Sequence, residues 1–162
     1  MKPFMKALVL GGLFALGASA QAGVSVTFDE TRRYSDVPFD PTDRKQSLDA
    51  LADHFTSLGK YLPAGQDLHV TVTDVDLAGR MVPNFSAGRD IRVVTGRADW
   101  PRMELRYSLE QNGQVVKSGE AQLQDMNYQF NTPRYFDSDL FRYEKRMIDD
   151  WFAKYIAPID RR

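Results

Sequence analysis

The stretch DLHVTVTDVDLAGR, Asp67 to Arg80, begins as a half-buried strand and ends on an electrostatic problem. Successive strand side chains point to opposite faces, so Leu68, Val70 and Val72 line one face and His69 and Thr71 the other. A regular strand would carry Asp74 and Asp76 onward along the apolar face. Unpaired carboxylates cannot be buried there without a cost of several kcal/mol each. Three arrangements relieve them. The phase can flip near Thr73, sending Val75 and Leu77 inward and both acids outward. Arginines on neighbouring strands can meet the acids, since Arg80, Arg89, Arg92, Arg97, Arg102 and Arg106 all follow within one segment. A cation can be held by Asp74, Asp76 and Asp90. An EF-hand is excluded, because the fifth and twelfth positions counted from Asp74 are Ala78 and Phe85. The flip is favoured, since it needs no partner.

Working outward from this strand, the pattern predicts an α+β fold in the order β-α-β-β-β-β-α. Strands are expected over 24–28, 68–75, 91–95, 102–110 and 114 to about 128. Short connections favour a mostly antiparallel sheet of about five strands, with two helices packed on one face. The first helix has Asp40 as cap, Pro41 at its first position and a stripe of Leu48, Leu51, Phe55, Leu58 and Leu62. The second, in SDLFRYEKRMIDDWFAKYI, takes Ser138 or Asp139 as cap and Leu140, Tyr143, Met147, Trp151 and Tyr155 as its stripe. Asn112-Gly113 is a two-residue hairpin turn that would pair Leu109 with Val116 and Tyr107 with Ser118. Continued unbroken, that register sets Leu105 against Glu120. One extra residue at Gly119 restores Leu105 opposite Ala121 and Met103 opposite Leu123, so a bulge is expected there.

The amino-terminal residues, MKPFMKALVLGGLFALGASAQA, open with Lys2 and Lys6, continue in an apolar run over 7–16 and end in small residues. Ala18-Ser19-Ala20 and Ala20-Gln21-Ala22 both fit the small-x-small cleavage rule. The expected organisation is a signal peptide over 1–22 and a single α+β domain over 23–162, exported to the periplasm. The apolar run falls short of the roughly 20 residues of a membrane span, so no integral membrane segment is expected after cleavage. Cysteine is absent, which excludes disulfides and a lipid-anchored cysteine. Cleavage removes two lysines and no acids, taking the formal charge from −1 to −3 and arguing against nucleic acid as a partner.

Chemistry-bearing motifs are few. No Gly-x-Ser-x-Gly elbow, His-Glu-x-x-His helix or glycine-rich phosphate cradle occurs. His54 and His69 read as boundary residues, and Glu144 and Asp149 as polar-face acids of the second helix. Two long loops remain. AGRMVPNFSAGRD, 78–90, is read first as a loop folded over one end of the sheet with its arginines solvated or paired to acids, and in the alternative as an anion-accepting rim of Arg80 and Arg89. NYQFNTPRYFDSD, 127–139, clusters Tyr128, Phe130, Tyr135 and Phe136, most of which are expected to plug the core beneath, as are Trp100 and Trp151. The candidate ligand-binding residues are Asp74, Asp76, Arg80, Arg89, Arg92, Arg102 and Tyr135. Asp74, Asp76 and Asp90 form the alternative metal set, and no cofactor is expected.

LHVTVTDVDLAG, IRVVTGRADWPRMELRYSL, LQDMNY and YEKRMIDDWF together resemble a proteobacterial family catalogued as domain of unknown function 3016. The resemblance spans nearly the whole mature chain; Asp-Val-Asp-Leu-Ala-Gly and Trp-Pro-Arg-Met are its most specific strings. It implies a small exported protein of Gram-negative bacteria and brings no catalytic residues. The expected function is a non-catalytic periplasmic binding or accessory module engaging an envelope protein or an anionic small ligand. The alternative is a metal-dependent hydrolase centred on Asp74 and Asp76.

Overall fold

The computed structural model describes residues 22–160, without residues 30, 32, 33, 85–88 and 133 and without the side chains of residues 83, 84, 89 and 90. All of the segment read as a signal peptide except its last residue, Ala22, lies outside the described residues.

Strand β1 (Gly23–Phe28) leads through a loop to helix α1 (Pro41–Ser57). The Asp40 carboxylate accepts from Thr42 N and Asp43 N at 2.8 and 3.1 Å, satisfying amide groups the first turn would leave unpaired. A 3₁₀ turn (Leu58–Tyr61) completes the helix, and Leu51, Phe55, Leu58 and Leu62 bury the expected stripe. The chain then enters β2 (Gln66–Asp76) parallel to β1, because a helix-long crossover returns it in the same direction. A hairpin of β3 (Arg80–Asn84) and β4 (Arg89–Val93) follows, then β5 (Arg102–Gln111), β6 (Gln114–Gln124) and helix α2 (Arg142–Tyr155).

The fold is α+β. Its main sheet has four strands in the order β1-β2-β5-β6, with β2-β5 and β5-β6 antiparallel. This corrects the expected strand count. Within the segment read as a loop, Arg80–Asn84 and the start of Arg89–Val93 instead belong to a separate two-stranded sheet, with Arg80 opposite Val93 and Asn84 opposite Arg89. The expected strand over 91–95 belongs to that hairpin. Both helices cover one face, where Phe55, Ile148 and Phe152 are fully buried against Leu68, Val72 and Val75. The Trp151 ring meets Phe55 of α1 and Tyr107 of β5 edge-on.

Helix α2 departs from expectation at its start and along its face. Asp139 accepts from Phe141 N through its side chain at 2.9 Å and from Arg142 N through its carbonyl at 3.3 Å, making a turn that delays the helix to Arg142. The buried face is Glu144, Met147, Ile148, Asp149, Trp151 and Phe152, while Leu140 and Tyr155 are exposed. The stripe is therefore rotated from the one expected, and two acids lie inside it.

The β5-β6 turn has positive φ at Asn112 and Gly113, as a type I′ turn requires. Leu105 faces Ala121 and Met103 faces Leu123. The extra residue, however, is Val116: Glu110 pairs with Val115 and Leu109 with Lys117. Gly119 then lies opposite Tyr107, and a Cβ there would sit 3.4 Å from the Tyr107 hydroxyl. That is ordinary contact with a ring that packs on Trp151, and the glycine does not make the bulge.

In the 127–139 loop Tyr128 is buried, but Phe130 and Phe136 are exposed, correcting the expectation that most of these rings plug the core. The Tyr128 hydroxyl donates to Asp99 Oδ1 at 2.8 Å and accepts from Gly96 N at 3.1 Å. Burial alone would raise the Asp99 carboxyl. Bonds from Thr95 N, Thr95 Oγ1, Tyr128 and Arg97 N outweigh it and hold the group at about 2 instead of 3.8.

Two outcomes are expected. Phe152→Ala should cost about 3–5 kcal/mol, read as a lower urea midpoint with unchanged slope. Because the Asp99 carboxyl is depressed on folding, its stabilisation is present above the usual carboxylate range and is lost as pH falls toward 2. Asp99→Asn should therefore flatten the acid side of the stability curve and cost about 1 kcal/mol at pH 7, the linkage being discounted for solvent screening.

Candidate functional site

The site starts from the bulge in β2. Val72 pairs with Leu105 and Asp74 with Glu104, leaving Thr73 as the extra residue. The phase flips there: Val75 and Leu77 turn inward and are buried, and Asp74 and Asp76 emerge on the face opposite the helices. Beyond β1, the chain returns to the edge of β2, with Asp36 N donating to Val75 O at 3.0 Å and Leu77 N donating to Asp36 O at 3.2 Å. That return brings Ser35 to Asp74, whose oxygens accept from Ser35 N and Ser35 Oγ, both at 2.7 Å. Across the sheet Asp76 Oδ2 accepts from Arg102 Nε at 2.7 Å, with Arg102 Nη2 against the same oxygen. The flip and an arginine partner therefore operate together. Burial first, and then the charge of Asp76, raise the Asp36 carboxyl; Arg92 opposes them.

These residues line an open cleft of about 570 Å³ together with Glu104, Gln122 and Gln124. A smaller recess of about 120 Å³ lies farther along the same strands, beside Thr73, Arg106 and Glu120. Three carboxylates face one guanidinium in the main cleft, so its field is acidic.

The other expected site residues are elsewhere. Arg92 points inward and holds Glu144. Glu144, 1% exposed, accepts from Ala78 N at 2.8 Å and from Arg92 Nη2. Arg92 Nε donates to Ala78 O at 2.5 Å and Nη1 to Leu140 O at 2.6 Å. Gly79 keeps this junction tight: its φ is +76°, and a Cβ would collide with the Val93 carbonyl. Arg80 and Arg89 fall at opposite ends of the β3-β4 hairpin, about 13 Å apart at strand rise, so their backbone positions do not form one rim. The Arg89 and Asp90 side chains lie outside the described residues. Among the described residues no three His, Cys, Asp or Glu side chains gather as a metal site.

Tyr135 belongs to a third place. Its hydroxyl donates to Asp149 Oδ2 at 2.7 Å, and His54 Nε2 donates to Asp149 Oδ1 at 2.9 Å. Burial, then the bond and charge of Asp149, push the Tyr135 phenol above its ordinary range. This cluster ties α1, α2 and the aromatic loop together. Sequence reasoning placed Asp149 and Glu144 on a polar face and missed both. A usable signal was present for Glu144, which stands one helical turn before Ile148 on the true apolar stripe.

The two kinds of ion pair separate experimentally. Glu144→Ala leaves Arg92 buried without its carboxylate and should cost about 3–5 kcal/mol. Asp76→Asn disturbs a pair whose arginine is half exposed and should cost less than about 1 kcal/mol. Urea midpoints of the two variants check this; equal losses would remove the distinction.

The family strings occupy the junctions just described. Asp-Val-Asp-Leu-Ala-Gly runs from the bulge to Gly79, Trp-Pro-Arg-Met opens β5 beside Arg102, and YEKRMIDDWF is the body of α2. No curated protein matches the chain. A family model matches residues 22–154, most of the chain, and the chain belongs to that family, protein of unknown function (DUF3016).

Proposed function

We propose that this protein is an exported periplasmic module, binding or accessory in role and not catalytic, whose recognition surface is the acidic cleft on the open face of the sheet. The observation that carries the reading is the state of the cleft's charges. Asp74 is held by Ser35 and Asp76 by Arg102, so both are fixed in place before any ligand arrives. Among the described residues the cleft is lined by no histidine, lysine or cysteine, and its one hydroxyl, Ser35 Oγ, is committed to Asp74. The excess of carboxylates suits a basic or amide-rich segment of an envelope protein, so an anionic ligand is not placed here. Export is supported by the lysine-flanked apolar run and small-x-small sites before residue 23, and by a family match that starts at residue 22. No helix among the described residues is long and apolar enough to cross a membrane.

The test is a thermal scan of the chain from Gly23 with a short lysine-rich peptide, and separately with chelator, calcium, magnesium, manganese and zinc. A ligand at a hundred times its dissociation constant adds about 2.7 kcal/mol, several degrees for a domain of this size. The peptide should raise the midpoint, more at low salt, and the rise should vanish in Glu104→Gln/Asp76→Asn. A shift selective for one cation and abolished by Asp76→Asn would overturn this reading in favour of the metal-dependent hydrolase.

A further inference from the structure

On the helix side of the sheet, the first turns of α2 and residues 128–132 and 134–137 line a further cavity of about 160 Å³. Arg134, Arg142 and Arg146 line it against one acid, Asp137. Each guanidinium's partners decide the meaning of that composition. Arg142 Nη1 donates to the carbonyls of Asp137 and Asp139 at 2.9 and 3.2 Å, and Nη2 donates to the Tyr143 hydroxyl at 3.1 Å. Its plane lies 4.5 Å from the centroid of the Tyr143 ring. Its partners among the described residues are thus uncharged, and its positive charge is not neutralised by them.

Arg146 donates Nη1 to Thr132 O, but its buried Nε makes no hydrogen bond. The nearest carboxylates, Asp150 and Asp125, stand 3.8 and 4.0 Å away, too far for one, and Asp125 already accepts from Asn131 Nδ2 at 2.9 and 2.8 Å. Arg134 Nη1 lies 2.8 Å from Asp150 Oδ1 and yet makes no aligned hydrogen bond. The distance establishes charge proximity, and the misalignment leaves the directional bond unmade. Buried donors of this kind are costly unless something completes them.

We propose that this cavity is an oxyanion site, taking the phosphate or carboxylate group of a small ligand between Arg142 and Arg146. Guanidinium forks match the paired oxygens of either group, and Arg142 is already oriented by its stacking on Tyr143. The volume suits the ligand class: it equals about five waters, enough for an oxyanion, and is below the roughly 300 Å³ of a drug-sized pocket. Gln129 and Asn131 also line the wall, with their amides committed to the Tyr128 hydroxyl and to Asp125. The site is separate from the sheet-face cleft, so its failure would leave that reading untouched.

The experiment is a midpoint titration of the chain from Gly23 with inorganic phosphate and with acetate, each against chloride at matched ionic strength. A saturable rise over chloride is expected. Arg142→Gln should weaken the apparent Kd by about tenfold or more, the scale of hydrogen bonds to a charged group. Arg142→Lys, which keeps the charge and loses the fork, should weaken it as well, while Lys45→Gln on exposed α1 should not. Response to phosphate alone or acetate alone assigns the oxyanion's chemistry. Curves identical to chloride, or a rise that survives both Arg142 variants with their circular dichroism intact, would overturn the proposal.

Discussion

The carboxylate of Glu144 is the constraint around which the rest is arranged. It is almost wholly buried, and it is satisfied from two directions, by the Ala78 amide and by Arg92. Burying a charge is unfavourable unless every partner arrives together, so three parts of the chain are locked at once: the end of β2, strand β4 and the first turn of α2. Arg92 extends the lock by donating to Ala78 O and Leu140 O. Gly79 permits the close approach of β4, because no side chain could stand between it and Val93. Without this junction the β3-β4 hairpin would have little to hold it, since it forms a sheet of its own.

The same junction separates two surfaces with opposite electrostatics. The bulge at Thr73 turns Val75 and Leu77 into the core and sends Asp74 and Asp76 to the solvent face, where Glu104 joins them. On the helix side, α2 presents Arg142 and Arg146 from the helix whose other residues enter the core. A chain of small net charge thus carries an acidic cleft and a basic cavity on different faces. Charge totals, which average over faces, cannot report such a division.

Much of the fold was legible in the sequence because it rests on local chemistry. Asp40 and Pro41 start α1, Asn112-Gly113 makes the hairpin turn, and period-two alternation marks β2 and β5. The flip at Asp74 was legible too, since a regular strand would have buried two acids. Features that depend on distant neighbours were not. The 78–90 segment has the composition of a loop, yet Arg80–Asn84 pairs with Arg89–Val93, whose Arg92 is turned inward to Glu144. Val116, and not Gly119, takes the extra residue, and Gly119 stands in regular register opposite Tyr107.

The candidate sites divide along the same line. By itself the sequence determined the α+β class, the hairpin turn and the two carboxylates at the end of a strand, each a matter of periodicity or backbone preference. Tertiary structure alone decided the partners: Ser35 for Asp74, Arg102 for Asp76, Arg92 for Glu144, His54 and Tyr135 for Asp149. It also decided that three arginines close in sequence to aromatic residues would share one cavity. The reason is that hydrophobic periodicity specifies which face of an element is buried, whereas a buried charge is paired by whatever donor the packing of several elements brings within about 3 Å.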